Sequence, residues 1–220
     1  MDDAIRERVE GLLGSPVEAT RPAVRGYTPA IRVVVSLRDG RTAFVKAGVD
    51  EMTSGWLRQE HAVYDALRAP YQPAVLGWDP VDPPILVLED LSAAEWPPPW
   101  TKRRIRAVVD TLAEVRATPP PPGLPRTRDF FERAPGWTMV AANPEPFLSL
   151  GFASDEWLES ALPALLRAEA AAPLDGEALV HLDVRSDNLC VRGSRAILFD
   201  WNAACRGNPE VDLAGWLPSL

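Results

Sequence analysis

The sequence predicts an α+β fold, and three observations carry that prediction. The first is a β-hairpin in the N-terminal half. Residues 31–37 and 42–48 are rich in β-branched and apolar side chains, and Arg38-Asp39-Gly40-Arg41 between them contains Asp-Gly, a hairpin turn signal. The second is helical periodicity over about 53–67, 101–116 and from 154 onward. The third is a set of short apolar strands near the C-terminus, at 178–180, 189–191 and 196–199. The last two of these are joined by the turn Arg192-Gly193-Ser194-Arg195.

Composition bounds the class. At 220 residues the chain can bury a sizeable core as one domain or two small lobes. With 46% apolar and 25% charged residues it reads as soluble and globular. No apolar run reaches the length of a membrane span, so no membrane partner is expected. The start, Met1-Asp2-Asp3-Ala4-Ile5-Arg6-Glu7, is charged and lacks the apolar centre of a signal peptide, which makes the cytoplasm the expected location. A net charge of −8 argues against nucleic-acid partners, which call for a basic patch. The same charge attracts cationic small molecules. Cys190 and Cys205 form neither a CxxC nor a zinc pattern. Cys190, among strand residues, is expected to be a buried thiol; Cys205 is expected in a loop, where a reactive thiol stays open.

The first hairpin contains Lys46, one of only two lysines beside 21 arginines. A lysine among apolar strand residues either snorkels to water or meets a counter-charge. The following helix offers one. Thr53 or Ser54 can cap it, and Trp56, Leu57, Glu60, Val63, Tyr64 and Leu67 recur at helical spacing before Pro70. Glu60 falls on this apolar face. There it either reaches an edge in water or needs a cation, because a lone buried carboxylate is costly. Pairing with Lys46 resolves both anomalies. The loop 25–30 before the hairpin has one glycine, Gly26, and reads as a plain turn or as a flap. Residues 85–88 form a buried strand that ends at Glu89-Asp90-Leu91. A loop with Pro97-Pro98-Pro99 between Trp96 and Trp100 follows. Thr101 starts the next helix, with Ile105, Val108, Val109, Leu112 and Val115 inward, and the prolines at 119–122 stop it as a stiff connector. Residues 126–150 read as irregular and aromatic-rich. Ser154 caps a helix whose apolar face is Trp157, Leu158, Leu162, Leu165 and Leu166, interrupted by Pro163.

The chemistry concentrates in His181-Leu182-Asp183-Val184-Arg185-Ser186-Asp187-Asn188, followed after the second hairpin by Asp200-Trp201. An aspartate on a loop can accept a proton from a hydroxyl. An asparagine five residues on can reach a magnesium ion, and an aspartate at the next strand end can hold metal against nucleotide phosphates. That spacing reads as a phosphoryl-transfer centre. The bland alternative, solvated loop acids and a turn-capping Asn188, leaves the surrounding strand–loop–hairpin–Asp order unexplained.

Residues 180–189, Leu198-Phe199-Asp200-Trp201 and Gly207-Asn208-Pro209-Glu210-Val211-Asp212-Leu213-Ala214 together resemble the aminoglycoside phosphotransferase family. The resemblance runs from about residue 15 to the C-terminus and is strongest over 178–214. It implies a bilobal protein-kinase-like fold, with an antiparallel-sheet N-terminal lobe (1–91), a hinge at about 89–92 and a mostly helical C-terminal lobe (92–220). It implies ATP and Mg²⁺ as cofactors and a small-molecule hydroxyl as acceptor: an aminoglycoside, a choline-like amine or a sugar. Asp183 would be the base, Arg185 would contact the transferred phosphate, and Asn188 and Asp200 would bind metal. Lys46, aligned by Glu60, would hold the α- and β-phosphates. Tyr27 or Thr28 would cover them, and backbone near Glu89 and Leu91 would bond adenine. Asp212 would brace the catalytic loop. Family members usually continue with several helices, whereas this chain stops at Leu220, eight residues after Asp212, so an incomplete C-terminal lobe is expected. A pseudokinase-like binding module on the same fold is the competing expectation, favoured by the glycine-poor flap. Protein phosphorylation is disfavoured, since no Asp-Phe-Gly to Ala-Pro-Glu segment follows Asp200.

Overall fold

A computed structural model describes residues 1–23, 29–134 and 136–220. The chain opens with α1 (Asp3–Leu13), capped by the Asp2 carboxylate accepting from the Ile5 N–H at 2.8 Å and ended by Gly14 at φ 67°. Five strands follow: β1 (Val17–Pro22), β2 (Ile31–Leu37), β3 (Thr42–Ala47), β4 (Val75–Asp79) and β5 (Ile85–Glu89). They form one antiparallel sheet in the order β1-β2-β3-β5-β4, with α2 (Glu51–Leu67) inserted after β3.

The two-residue period of the strands sorts their side chains onto two faces. Ala43, Val45, Ala47, Ile85 and Val87 pack with Ile5, Val9 and Leu13 of α1. Phe44, Leu86 and Leu88 point the other way, into a larger core with Leu57, Val63 and Tyr64 of α2 and residues of the second half. Lys46 belongs to the Phe44 set. Strand alternation therefore aims it at the interior between the sheet and the rest of the chain.

The second half contains α3 (Lys102–Ala117), α4 (Thr127–Arg133), α5 (Gly136–Ala142), α6 (Glu145–Leu148) and α7 (Asp155–Ala170). After these come β6 (Ala178–Val180), β7 (Leu189–Arg192), β8 (Arg195–Leu198), β9 (Cys205–Gly207) and α8 (Glu210–Trp216). The β7–β8 hairpin pairs as its turn implies, and β6 pairs antiparallel with β9.

Several local expectations are corrected. The N-cap of α2 is Asp50, whose carboxylate accepts from the Thr53 N–H at 2.7 Å; Thr53 is the third helical residue and completes the box by accepting from the Asp50 N–H at 3.2 Å. Val109 of α3 is 42% exposed, because Ala107 and Thr111 take the inward positions. Residues 127–148 hold three short helices, not irregular chain. α7 runs through Pro163 and buries Leu158 alone, with Trp157 47% exposed. Cys205 lies in β9 rather than a loop. It is buried against the Thr127 hydroxyl at 3.1 Å, and burial pushes its thiol up to about 11, which ends the reading of a reactive thiol. Cys190 is buried, as its strand setting implies.

Candidate active site

The loop between β6 and β7 carries Asp183, Arg185 and Asn188, and its shape is fixed from three sides. Leu182 has φ 68°, a left-handed backbone that side chains resist. It is held there by Asp212 of α8, whose two oxygens accept from the His181 N–H at 2.8 Å and the Leu182 N–H at 2.7 Å. Burial pushes the Asp212 carboxyl up to about 6, against the pull of those two N–H groups. His181 is fully buried. Its Nε2–H donates to the Phe199 carbonyl at 3.1 Å, and its Nδ1 accepts from the Asp183 N–H at 3.3 Å. The second bond requires the neutral ring, since a protonated Nδ1 cannot accept, and burial holds its pKa down at about 4.

Asp183 reaches the cavity from this loop. Its Oδ2 accepts from the Asn188 amide at 2.6 Å, which leaves the Asn188 amide oxygen available for a metal. Burial raises the Asp183 pKa; Arg185 and Asn188 offset part of that, while Asp200 and Asp187 add to it. Arg185 grips Asp187 with two bonds, 3.0 and 2.7 Å, and its other nitrogen lies 3.4 Å from Asp183.

Lys46 sits opposite, 8% exposed. Its ammonium donates to Glu60 Oε2 at 2.5 Å and also to Asp200 Oδ1. The other Glu60 oxygen accepts from the Tyr64 hydroxyl at 2.8 Å and from the Asp200 N–H at 3.1 Å. Burial alone would lower the Lys46 pKa, but Asp200 and Glu60 outweigh it and hold it raised. Burial would raise Asp200, yet Lys46 holds it below the ordinary value. For Glu60 burial prevails and the carboxyl is raised. Asp200 has φ 66°, a second left-handed residue at the site.

Two adjoining cavities meet on this triad. One, of about 240 Å³, is a mostly apolar slot between Val34, Phe44, Leu88, Trp96 and Phe199, bordered by residues 89–92. The other, of about 180 Å³, is lined by Trp56, Asp183, Arg185 and Asn202. Lys46, Glu60, Asp187, Asn188, Asp200 and Arg32 line both. Among the described residues no group of three or more His, Cys, Asp or Glu side chains is arranged to hold a metal. The donors that do meet, the Asn188 amide and the Asp200 carboxylate, are hard oxygens too few for an all-protein cage. They fit a magnesium ion that arrives with phosphate and keeps part of its water.

The structure thus brings together Lys46, Glu60, Asp183, Arg185, Asn188 and Asp200. Glu89 and Leu91 border the apolar slot, but the Glu89 carboxylate turns to Arg192 at 2.6 Å. The Leu91 carbonyl accepts from the Trp96 indole N–H at 2.9 Å. Thr28 and Tyr27 lie outside the described residues. Sequence reasoning missed Arg32, Asp187, Asn202 and the Trp96–Phe199 wall, whose rings lie 5.2 Å apart. A two-residue Asp39-Gly40 turn would place Arg32 opposite Ala47; the observed register, Ser36 with Thr42 and Arg32 with Lys46, is what brings Arg32 to the site.

The model of the phosphotransferase enzyme family, APH, matches residues 32–218. The chain belongs to this family. Family membership makes the protein a phosphotransferase with a small-molecule acceptor, on the kinase-like fold the sequence predicted. Solved structures agree on the fold. The aminoglycoside phosphotransferase APH(4)-Ia, in ternary complex with ADP and hygromycin B, has a TM-score of 0.60 at 16% identity, over 96% of this chain and 75% of that one. APH(2")-IIa, in complex with streptomycin and ATP, has a TM-score of 0.63 at 16% identity, over 96% and 75%. A protein of Thermobifida fusca assigned as a fructosamine-3-kinase has 0.61 at 24% identity, over 97% and 78%. No curated protein matches the chain by sequence. Among the described residues no helix of this phosphotransferase is long and apolar enough to cross a membrane.

Proposed function

We propose that this phosphotransferase moves the γ-phosphoryl group of ATP to a hydroxyl of a small molecule, releasing ADP. One observation carries the proposal: the buried Lys46 triad forms the shared floor of two cavities, and Asp183 opens into one of them. The apolar slot suits a purine, with the 89–92 segment as the hinge between an N-terminal lobe (1–91) and a C-terminal lobe (92–220). Lys46, aligned by Glu60, holds the α- and β-phosphates. Asp183 orients the acceptor hydroxyl and takes its proton as the oxygen–phosphorus bond forms. Arg185 offsets charge on the moving group once it turns from Asp187. Asn188 and Asp200 are the residues to hold magnesium, which when bound neutralises charge across the β- and γ-phosphate oxygens. Positioning and electrostatics do the rest.

For the acceptor, we infer a hydroxylated, amine-bearing molecule such as an aminoglycoside, a choline-like amine or an amino sugar. Asp183 and Asp187 line the second cavity, and the chain carries a net charge of −8. Both attract cations. Use of ATP places the reaction in the cytoplasm. The test is Asp183→Asn. Losing a general base lowers turnover about 10²- to 10⁴-fold. ATP binding is expected to persist, because Asp183 does not line the purine slot. Near-normal acceptor-stimulated turnover in that variant would remove the mechanism.

A further inference from the structure

Arg32 lies where the nucleotide cavity passes into the acceptor cavity, and no sequence motif marks it. Along one face of the chain entering β2, Ala30 lines the second cavity alone, Val34 lines the first alone, and Arg32 lines both. Two residues of strand span about 7 Å, so one step along this face crosses from one cavity to the other. In the sheet register Arg32 stands directly opposite Lys46. Side chains so paired share a face. The two cations therefore stand side by side over the site, with Lys46 as the inner one.

The charge there is short of a cation. Lys46 is already met by Glu60 and Asp200, and Arg185 grips Asp187. A triphosphate adds several negative charges to that set. Glycine-rich flaps answer them with backbone N–H groups, but the loop before β2 has Gly26 as its one glycine between residues 23 and 30.

We propose that Arg32 binds the γ-phosphoryl end of ATP and sets the preference for triphosphate over diphosphate, an inference that rests on the ATP-dependent reading above. A guanidinium suits this place because its planar fork matches phosphate oxygens two at a time. Arg32 and Arg185 then flank the transfer path, one from the sheet and one from the catalytic loop.

The experiment measures dissociation constants of Mg·ATP and Mg·ADP, with acceptor-stimulated turnover, for wild type, Arg32→Gln and Arg32→Lys. Thermal unfolding reports folding of each. Arg32→Gln is expected to weaken ATP about tenfold and ADP less than about threefold, with lower kcat, as expected for loss of a charge-assisted contact to the terminal phosphate. Arg32→Lys should recover part of the ATP preference, since it keeps the charge and loses the fork. Equal weakening of both nucleotides, or none, overturns the assignment, because a merely structural role would not change the ratio. If Arg32→Gln fails to fold, Arg32→Lys decides: a loss confined to ATP supports the assignment, and an unchanged ratio overturns it. Wild type that neither binds nor turns over ATP would bring down the parent reading and this one together. Wild type that does both, with an unchanged ratio in the variants, brings down this one alone.

Discussion

Lys46 is held by two carboxylates, Glu60 from the helix after its strand and Asp200 from 154 residues away in the chain. The first was legible: a lysine in an apolar strand and a glutamate on an apolar helix face each needed a partner, and proximity in sequence made the match. The Asp200 contact was not legible, since it depends on how the second half folds back over the sheet. Arg185 is the residue whose geometry adds most. In this arrangement it binds Asp187 and stands 3.4 Å from Asp183, where its charge opposes the burial that raises the Asp183 pKa. If Asp183 must be ionised to act, activity rises with pH through that raised pKa. Replacing Arg185 removes a cation, disfavours the carboxylate and lifts the pKa further. The acid limb of kcat/KM in Arg185→Met should therefore move to higher pH than in wild type. A limb that stays in place, with only kcat reduced, would show that Arg185 acts on the phosphate alone.

The catalytic loop, as an element, is held by α8, a helix of seven residues that delivers Asp212 under two backbone N–H groups. Asp212→Ala leaves both donors buried without partners, which costs about 1–3 kcal/mol for each unsatisfied group. The left-handed turn at Leu182 then relaxes. The expected readout is a large fall in kcat with little change in nucleotide affinity, measured by turnover and by ATP titration. A kcat near wild type would mean that the loop keeps its shape without Asp212. At α2 the cap is Asp50, so Asp50→Ala should lose about 1 kcal/mol in denaturant unfolding, while Ser54→Ala should lose no cap bond. The long elements were legible because their periods repeat: the β2–β3 and β7–β8 hairpins, α2 and α3 follow the sequence closely. The short ones were not. α4, α5 and α6 are four to seven residues each, too few for a 3.6-residue period to declare itself. β9 is Cys-Arg-Gly and is strand-like because β6 pairs with it, not through its own composition.

For the whole molecule, the α+β class and the two-sided sheet were written in strand alternation, and the site falls where the sheet's inner face meets the second half. Its acid stability is set in part there. His181 is buried neutral with a pKa of about 4. An unfolded histidine titrates near 6.5, so the unfolded chain binds more protons between these values and stability rises with pH across that window. The contribution is present above about 6.5 and lost as pH falls towards 4, on the order of 3 kcal/mol. Asp212 acts with the opposite sign. Its carboxyl is raised to about 6, so its term falls as pH rises from about 4 to 6. Denaturant unfolding from pH 4 to 7 should show a shallower rise, or a fall, in His181→Gln than in wild type, because the His181 term is lost while the carboxylate terms stay. Equal slopes would mean that His181 is not held neutral. The central claim is phosphoryl transfer to a small-molecule hydroxyl, and it is tested most directly by incubating the protein with Mg·ATP and a panel of hydroxylated amines, sugars and aminoglycosides, then analysing the products by mass. A phosphate monoester of one acceptor, formed with ADP and lost in Asp183→Asn, is the predicted result. Magnesium-dependent ATP binding with no phosphorylated product across the panel would contradict the claim and favour a nucleotide-binding module.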